Sequence, residues 1–458
     1  MRRVTLVCLI VGLGLGIALG AHISWRVALP YLGLAVVVSW RWKLTWVIGL
    51  SVGVVCGMWR WQSDVENVFI QWKPHHHTVM SVTGITLVDA AGRVEITHIR
   101  SPKLPGRVSL GLLTIVPGQS VTIECRFELS EMSGRVLANR SVGRCLKVLL
   151  RSSRTSHHPT AILARWRAAV VRRFERGLRT APAALATGLL LGDDSAFSDG
   201  LRNSFRATGT THIVALSGFN VAIILALVLE RSARLIGRRR ASGVGLTFLV
   251  AFVVMTGAAA SVVRAAIMAS VAVIARLFGR PVDPWRVICY AVLPMVFMNP
   301  ALLFHDLGFQ LSVASTAGMM LGVEPLTSRL RAVPEFFGLR DNLATTMAAT
   351  VATLPIILGS FGRFSFVSLP VNVVVLPFIP LAMAVSAIHA VSSMFGPAIE
   401  IMSRGLTELL LSLIISIIEF GAHIPHAGMM ISPLVGVAMI VAIGAGAMLL
   451  YRHAPDRH

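Results

Sequence analysis

Twelve apolar runs recur along this chain, at roughly 1–20, 27–40, 44–60, 206–229, 243–259, 261–278, 285–298, 303–322, 342–361, 364–393, 406–424 and 431–451. A helix of about 20 apolar residues matches the hydrocarbon thickness of a bilayer, and only a helix or a closed barrel satisfies its backbone there. The chain is therefore expected to be a polytopic α-helical membrane protein of about twelve spans. Its 55% hydrophobic and 14% charged residues, with a mean hydropathy of +0.74, argue against a soluble globular fold. Met1-Arg2-Arg3 and the run behind it also fit a signal peptide ending near Ala21. Two further runs follow so closely that a retained first span is the better reading.

Between the third and fourth runs the pattern changes. Val79–Val88, Arg93–Thr97, Val108–Leu110 and Ser120–Phe127 alternate apolar and polar residues and are punctuated by Gly and Pro, which predicts β-strands. About a hundred residues of such strands suit a small barrel or sandwich, an oligonucleotide-binding (OB)-type barrel among them. Cys125 and Cys145 fall in this polar stretch, where they form either a disulfide or two free thiols. Cys8, Cys56 and Cys289 sit in apolar runs, and no Cys-x-x-Cys spacing occurs. His75-His76-His77 lacks a nearby acidic partner and makes a poor metal site. Neither a metal nor an organic cofactor is expected.

A helix over 161–179 comes next. At 100° per residue Arg165, Arg172, Arg176 and Arg179 share one side, opposite Leu163, Val170, Val171, Phe174 and Leu178. Such a basic amphipathic helix lies on a surface, either adhering to lipid or catching phosphates at a pore entrance. Ala181–Gly192 is too short to cross and is expected to pack as a re-entrant or interfacial helix. The domains read as 1–60 membrane helices, 61–160 OB-like β-domain, 161–180 interfacial helix and 181–458 transmembrane channel.

Loop charge orients the spans, because short cytoplasmic loops collect Arg and Lys. With the N-terminus inside, Arg41 and Lys43, then Arg231, Arg234, Arg238, Arg239 and Arg240, then Arg276, Arg280 and Arg286, then Arg329, Arg331 and Arg340, and finally Arg452 and Arg457 all fall inside. The β-domain then lies outside and both termini are cytoplasmic. The net charge of +21 makes an anionic partner, lipid headgroups or a nucleic-acid backbone, the natural expectation.

Polar residues inside the apolar runs carry the functional signal. Read as one helix, 206–229 puts Gly209, His212, Leu216, Ser217 and Asn220 on one face, either for interhelical bonding with Gly218 allowing close approach or to line a path. Arg264 and Asp306 come at similar depth and either pair or serve the path, with Gln310 and Ser312 extending the polar stripe. Pro370, Asn372, Pro377 and Pro380 are expected to break the 364–393 span. No Walker loop, dinucleotide fingerprint or nucleophile elbow is present, so the chain is not read as an enzyme.

Taken together, Gly188-Leu-Leu-Leu-Gly-Asp193, Gly209-Thr-Thr-His-Ile-Val-Ala-Leu-Ser-Gly218, Ser261-Val-Val-Arg-Ala265 with Met268, Asn299-Pro300 with Asp306 through Ser312, and Pro355, Asn372 and Pro377 resemble the ComEC competence family. The resemblance covers roughly 180–390. It implies a channel for DNA uptake in the bacterial inner membrane, an extracytoplasmic OB-like domain at about 62–155, and roles for His212, Ser217, Gly218, Arg264, Asp306, Gln310 and Ser312. Many members have histidine where this chain has Asn220. Many also carry a C-terminal metallo-β-lactamase-like domain, which is not expected here because the sequence ends at His458 without a His-x-His-x-Asp-His run.

The expected function is passage of single-stranded DNA into the cytoplasm, with the lipid bilayer as solvent and a separate DNA receptor, nuclease and motor ATPase as partners. The path would be lined by Gly209, His212, Ser217, Gly218, Asn220, Arg264, Asp306, Gln310, Ser312 and Asn372. Arg165, Arg172, Arg176 and Arg179 would bind DNA outside, with Trp61, Trp72 and Phe127 as candidate base-stacking residues. The alternatives are a secondary transporter for a small anionic solute and a degenerate envelope protein of the same family.

Overall fold

A computed structural model describes residues 52–57, 59, 71–76, 78–88, 94–101, 107–110, 117–129, 141–214, 218–299, 301–335, 338–392, 397–424 and 428–430. The strands are β1 (Val79–Val88), β2 (Val94–Ser101), β3 (Arg107–Leu110), β4 (Gln119–Leu129) and β5 (Ser141–Thr155). The helices that follow are α1 (Pro159–Gly177), α2 (Thr180–Leu191), α3 (Asp199–Ala207), α4 (Thr211–Val214), α5 (Gly218–Ile236), α6 (Arg238–Met255), α7 (Ala260–Leu277), α8 (Pro284–Met298), α9 (Ala301–His305), α10 (Leu307–Arg329) and α11 (Leu339–Phe361). A short strand β6 (Arg363–Ser365) precedes α12 (Ser368–Val375), α13 (Ile379–Ser392) and α14 (Pro397–Ala422), and β7 (Gly428–Met430) closes the described chain. Two compact units emerge, Met1–Arg172 with Ser217–Phe309, and Arg173–Leu216 with Gln310–His458.

In the first unit the strands close a barrel in the order β1-β2-β3-β5-β4, with β3 and β5 parallel and the other pairs antiparallel. The alternation in β4 explains its inside. Val121, Ile123, Cys125 and Phe127 are all buried at period two and meet Val82, Ile96 and Val108 in the core. Gly84 marks a register shift in β1, and a Cβ there would stand 2.3 Å from Ile96 Cγ2 and 2.8 Å from the Thr97 carbonyl oxygen. A disulfide joins Cys125 in β4 to Cys145 in β5. Trp72 and Phe127 are completely buried with ring centroids 4.8 Å apart, so the structure places both in the core and neither is available to stack a base. Trp61 lies outside the described residues.

The same unit holds most of α1. Arg165 Nη1 donates to the Ser156 carbonyl at 2.9 Å, and Arg167, only 2% exposed, donates to the Met255 carbonyl at 3.3 Å. Here the expected rail of arginines changes character. The helix stops at Gly177, and Arg179 belongs to the cap of α2, leaving Arg172 and Arg176 as its exposed members. α5 and α6 form a hairpin in which Gly245 lets the backbone meet Leu225 and Leu229.

In the second unit α2 is apolar on all sides and nine of its twelve residues are buried, which makes it a core helix and not an interfacial one. α14 is amphipathic in another sense. Leu411, Ile414 and Ile418 are fully buried, whereas Ile401, Met402, Leu409 and Phe420 are each at least 69% exposed, as an apolar outer face in lipid requires. α10 and α11 approach closely, since a Cβ on Gly318 would stand 2.3 Å from Ala352 Cβ. β6 pairs antiparallel with β7.

Four helical stretches among the described residues are long and apolar enough to cross a bilayer: Ala260–Leu277, Leu339–Phe361, Ser368–Ser392 and Ile399–Ala422. The chain is thus a multi-pass membrane protein. α8 is apolar but shorter, and the expected spans at 1–20, 27–40, 44–60 and 431–451 lie wholly or largely outside the described residues. The proline-rich stretch is less broken than expected. α12 passes through a single 3-10 turn, Leu376–Phe378, into α13, and Leu376 keeps helical angles with its N–H on the Asn372 carbonyl.

Candidate functional site

The 206–229 run is not one helix. α3 ends at Ala207 and Gly209 turns the chain before α4 starts at Thr211, so Gly209 does not sit within one helix running from 206 onward; residues 215–217, between α4 and α5, lie outside the described residues. The sequence Thr208-Gly209-Thr210-Thr211 explains the stop. Thr208 Oγ1 joins its own N–H on the Ser204 carbonyl at 2.8 Å, while the Phe205 carbonyl, which the Gly209 N–H would take in a continuing helix, accepts instead the Thr210 N–H at 2.9 Å and Thr211 Oγ1 at 3.3 Å, and the Gly209 N–H turns back to the Arg206 carbonyl. Gly209 takes φ +64°, the left-handed conformation that terminates helices and that glycine enters without steric cost.

Around this joint the second unit assembles a polar corner. Ser365, at the end of β6, donates to the Ala207 carbonyl at 2.7 Å. Ser368, at the start of α12, faces Gly209 so closely that a Cβ there would stand 2.7 Å from its Oγ. One turn on, Asn372 donates from Nδ2 to Ser368 Oγ at 3.2 Å. Asn372 is only 3% exposed, and its Oδ1 is buried with no hydrogen-bond partner among the described residues. The Thr208 and Thr210 hydroxyls, on either side of Gly209 in sequence, lie 2.9 Å apart, and Gly421 of α14 admits Val371 and Thr208 at its surface. His212 Nδ1 lies 3.1 Å from the Gly209 carbonyl oxygen, and its side chain is exposed.

The arrangement offers hydroxyls, an amide and backbone groups at a helix joint, without a charged side chain among them. It can solvate a polar solute by hydrogen bonding, but it holds no nucleophile with a base. Among the described residues no group of three His, Cys, Asp or Glu is placed to hold a metal. His76 of the histidine triplet accepts the Leu129 backbone N–H at 2.9 Å on Nδ1, a structural role, and His77 lies outside the described residues.

Other expected path residues group separately. In the first unit Gly218 opens α5 against α7, where an added Cβ would meet Ala265 Cβ at 3.5 Å and Arg264 Nη2 at 3.7 Å. Asn220 and Arg264 are 2% and 3% exposed, and Arg264 Nη1 lies 3.4 Å from Met268 Sδ. Asp306 Oδ1 accepts the Phe309 N–H at 2.8 Å and so caps α10. In the second unit Gln310 and Ser312 are half-buried near the start of α10, and the Ser312 carbonyl accepts from Thr316 Oγ1 at 2.8 Å. Ser217 lies outside the described residues. Sequence reasoning missed Ser365 and Ser368, although the four-residue spacing of Ser368 and Asn372 on one helical face was a readable signal.

Residues 189–455 match the family model described as "Competence protein". ComE operon protein 3 of Bacillus subtilis (strain 168) is 32% identical over 218 residues, a stretch that makes up 46% of this chain and 27% of that protein. No solved structure matches the chain. With the family model taking in more than half of its length, the chain belongs to the competence protein family.

Proposed function

We propose that this protein passes single-stranded DNA inward across the cytoplasmic membrane, with both termini cytoplasmic and the β-barrel outside. The observation that carries the reading is the closed five-stranded barrel, in the strand order of oligonucleotide-binding barrels, within a membrane chain of the competence family. Exposed Arg172 and Arg176 on α1 attract the phosphate backbone by counterion release, so binding weakens steeply with salt. Gly209, His212, Ser217, Gly218, Asn220, Arg264, Asp306, Gln310, Ser312 and Asn372 line or shape the path. At the polar corner, hydroxyls and the Asn372 amide substitute for water around the strand, and the lack of charge there keeps a polyanion from being held. A receptor, a nuclease and a motor ATPase act as separate proteins.

Internalisation of labelled DNA by a strain deleted for this gene, complemented with the wild type or with N372L, S368A/N372A or S217A/N220A, tests the reading. Wild type is expected to restore uptake, and each variant to reduce it severely while reaching the membrane at normal level. Uptake that persists in the deletion strain, or at full rate in all three variants, would overturn the proposal.

A further inference from the structure

His389 lies in α13, is fully buried, and takes no part in the polar corner. Its Nδ1 stands 3.0 Å from Ser403 Oγ of α14, and Ser403 Oγ stands 2.7 Å from Ser392 Oγ. The available hydrogens assign the tautomer. Ser392 donates to the His389 carbonyl at 3.0 Å, and Ser403 has its hydrogen for Ser392 or for the Glu400 carbonyl at 3.0 Å. With Ser403 donating to Ser392 or to the Glu400 carbonyl, its oxygen accepts from Nδ1–H, and we assign this tautomer, in which Nε2 carries a lone pair.

That nitrogen is buried and has no hydrogen-bond partner among the described residues. It is aimed at Gly177, the last residue of α1, where an added Cβ would stand 2.7 Å from Nε2 and 3.3 Å from Glu400 Oε1. Phe174, one turn earlier, stacks on the imidazole with centroids 6.3 Å apart at 18°. An imidazole nitrogen and a carboxylate oxygen thus converge on one small space walled by the backbone of a glycine. Two donors are too few for a metal, which would need about four. The other charges facing this place are spoken for: Glu408 holds Arg179 at 2.8 Å and Arg404 at 3.5 Å, while Glu175 and Arg176 point outward from α1.

We propose that His389 and Glu400 form a proton-binding site in the α13–α14 hairpin. Nε2 takes one proton from water, the imidazole becomes imidazolium, and the Glu400 carboxylate balances the new charge across the Gly177 space. Ser403 and Ser392 hold the ring so that Nε2, and not Nδ1, receives the proton. Loading the site draws the first turn of α14 toward the end of α1, and unloading releases it. Ionisable groups at membrane depth commonly serve proton movement, and the site needs no DNA to operate.

Nitrogen-15 spectra of the full chain in detergent, labelled at histidine, test this directly. One Nε2 signal is expected to move from the unprotonated to the protonated position between about pH 8 and pH 5, and to vanish in H389N. E400Q should lower the midpoint of that signal, because the balancing charge is gone. If H389N does not fold, S403A and E400Q, which keep the imidazole, identify its signal by the shifts they cause. A His389 signal that does not titrate over that range, or a midpoint unmoved by E400Q, would overturn the proposal whatever the outcome for DNA uptake.

Discussion

The barrel and the polar corner solve opposite problems with the same rule. In the barrel, backbone groups pair strand to strand and the core cluster is apolar, Val, Ile, Leu, Phe, Trp72 and the Cys125–Cys145 pair, with Thr86 and Glu95 buried beside it on β1 and β2. In the corner, the surrounding helices are apolar, and the interior keeps Thr208, Ser368 and Asn372. A water-facing domain hides its hydrocarbon; a lipid-facing one hides its hydrogen-bonding groups. Buried polarity therefore points to function more strongly in the second unit than buried apolarity does in the first.

The sharpest way to break the comparison is to hollow out the barrel. Phe127→Ala removes a fully buried ring packed on Trp72 and is expected to destabilise the barrel by about 3–5 kcal/mol. Denaturant unfolding followed by Trp fluorescence checks this, and a loss under about 1 kcal/mol would mean that the core is not organised around that ring. A smaller effect is expected at the joint. Gly209→Ala forces an L side chain into φ +64° against Ser368 Oγ and should cost about 2 kcal/mol, read as a lower thermal midpoint in detergent. Adding Ser368→Gly should return only the part due to the contact. The smallest effect belongs to Gly218→Ala, whose new Cβ would meet neighbours at ordinary distances of 3.5 and 3.7 Å. Its stability should stay within about 0.5 kcal/mol of wild type, so a loss of DNA uptake in that variant would report on the path and not on folding.

The barrel was readable because period-two alternation survives in short strands, and β4 buries the apolar positions that its sequence marks. Its interior aromatics were misjudged for the same reason that the strands were legible: an apolar ring at an inward position serves the core before it serves a ligand. The helical region was readable in class, since length and hydropathy announce a bilayer, but its breaks were not. Thr208-Gly209-Thr210-Thr211 carries the stop signals of a soluble helix, and they were overruled by the apolar residues on either side. α2 shows the converse. Twelve residues cannot cross a bilayer, yet a helix apolar on every face belongs in a core, and its uniform burial follows from that alone. Ser365 and Ser368 could not be seen as partners of Gly209 because more than 150 residues separate them and only the fold brings them together.

The pairing of β6 with β7 has a topological corollary. Ser365 faces Gly428 across a two-stranded clasp, and between them run the two apolar stretches Ser368–Ser392 and Ile399–Ala422. A thread that begins and finishes at one buckle has gone out and come back, so these two passages form a closed excursion through the lipid. Severing the link at 393–396 would leave the returning limb fastened to the departing one.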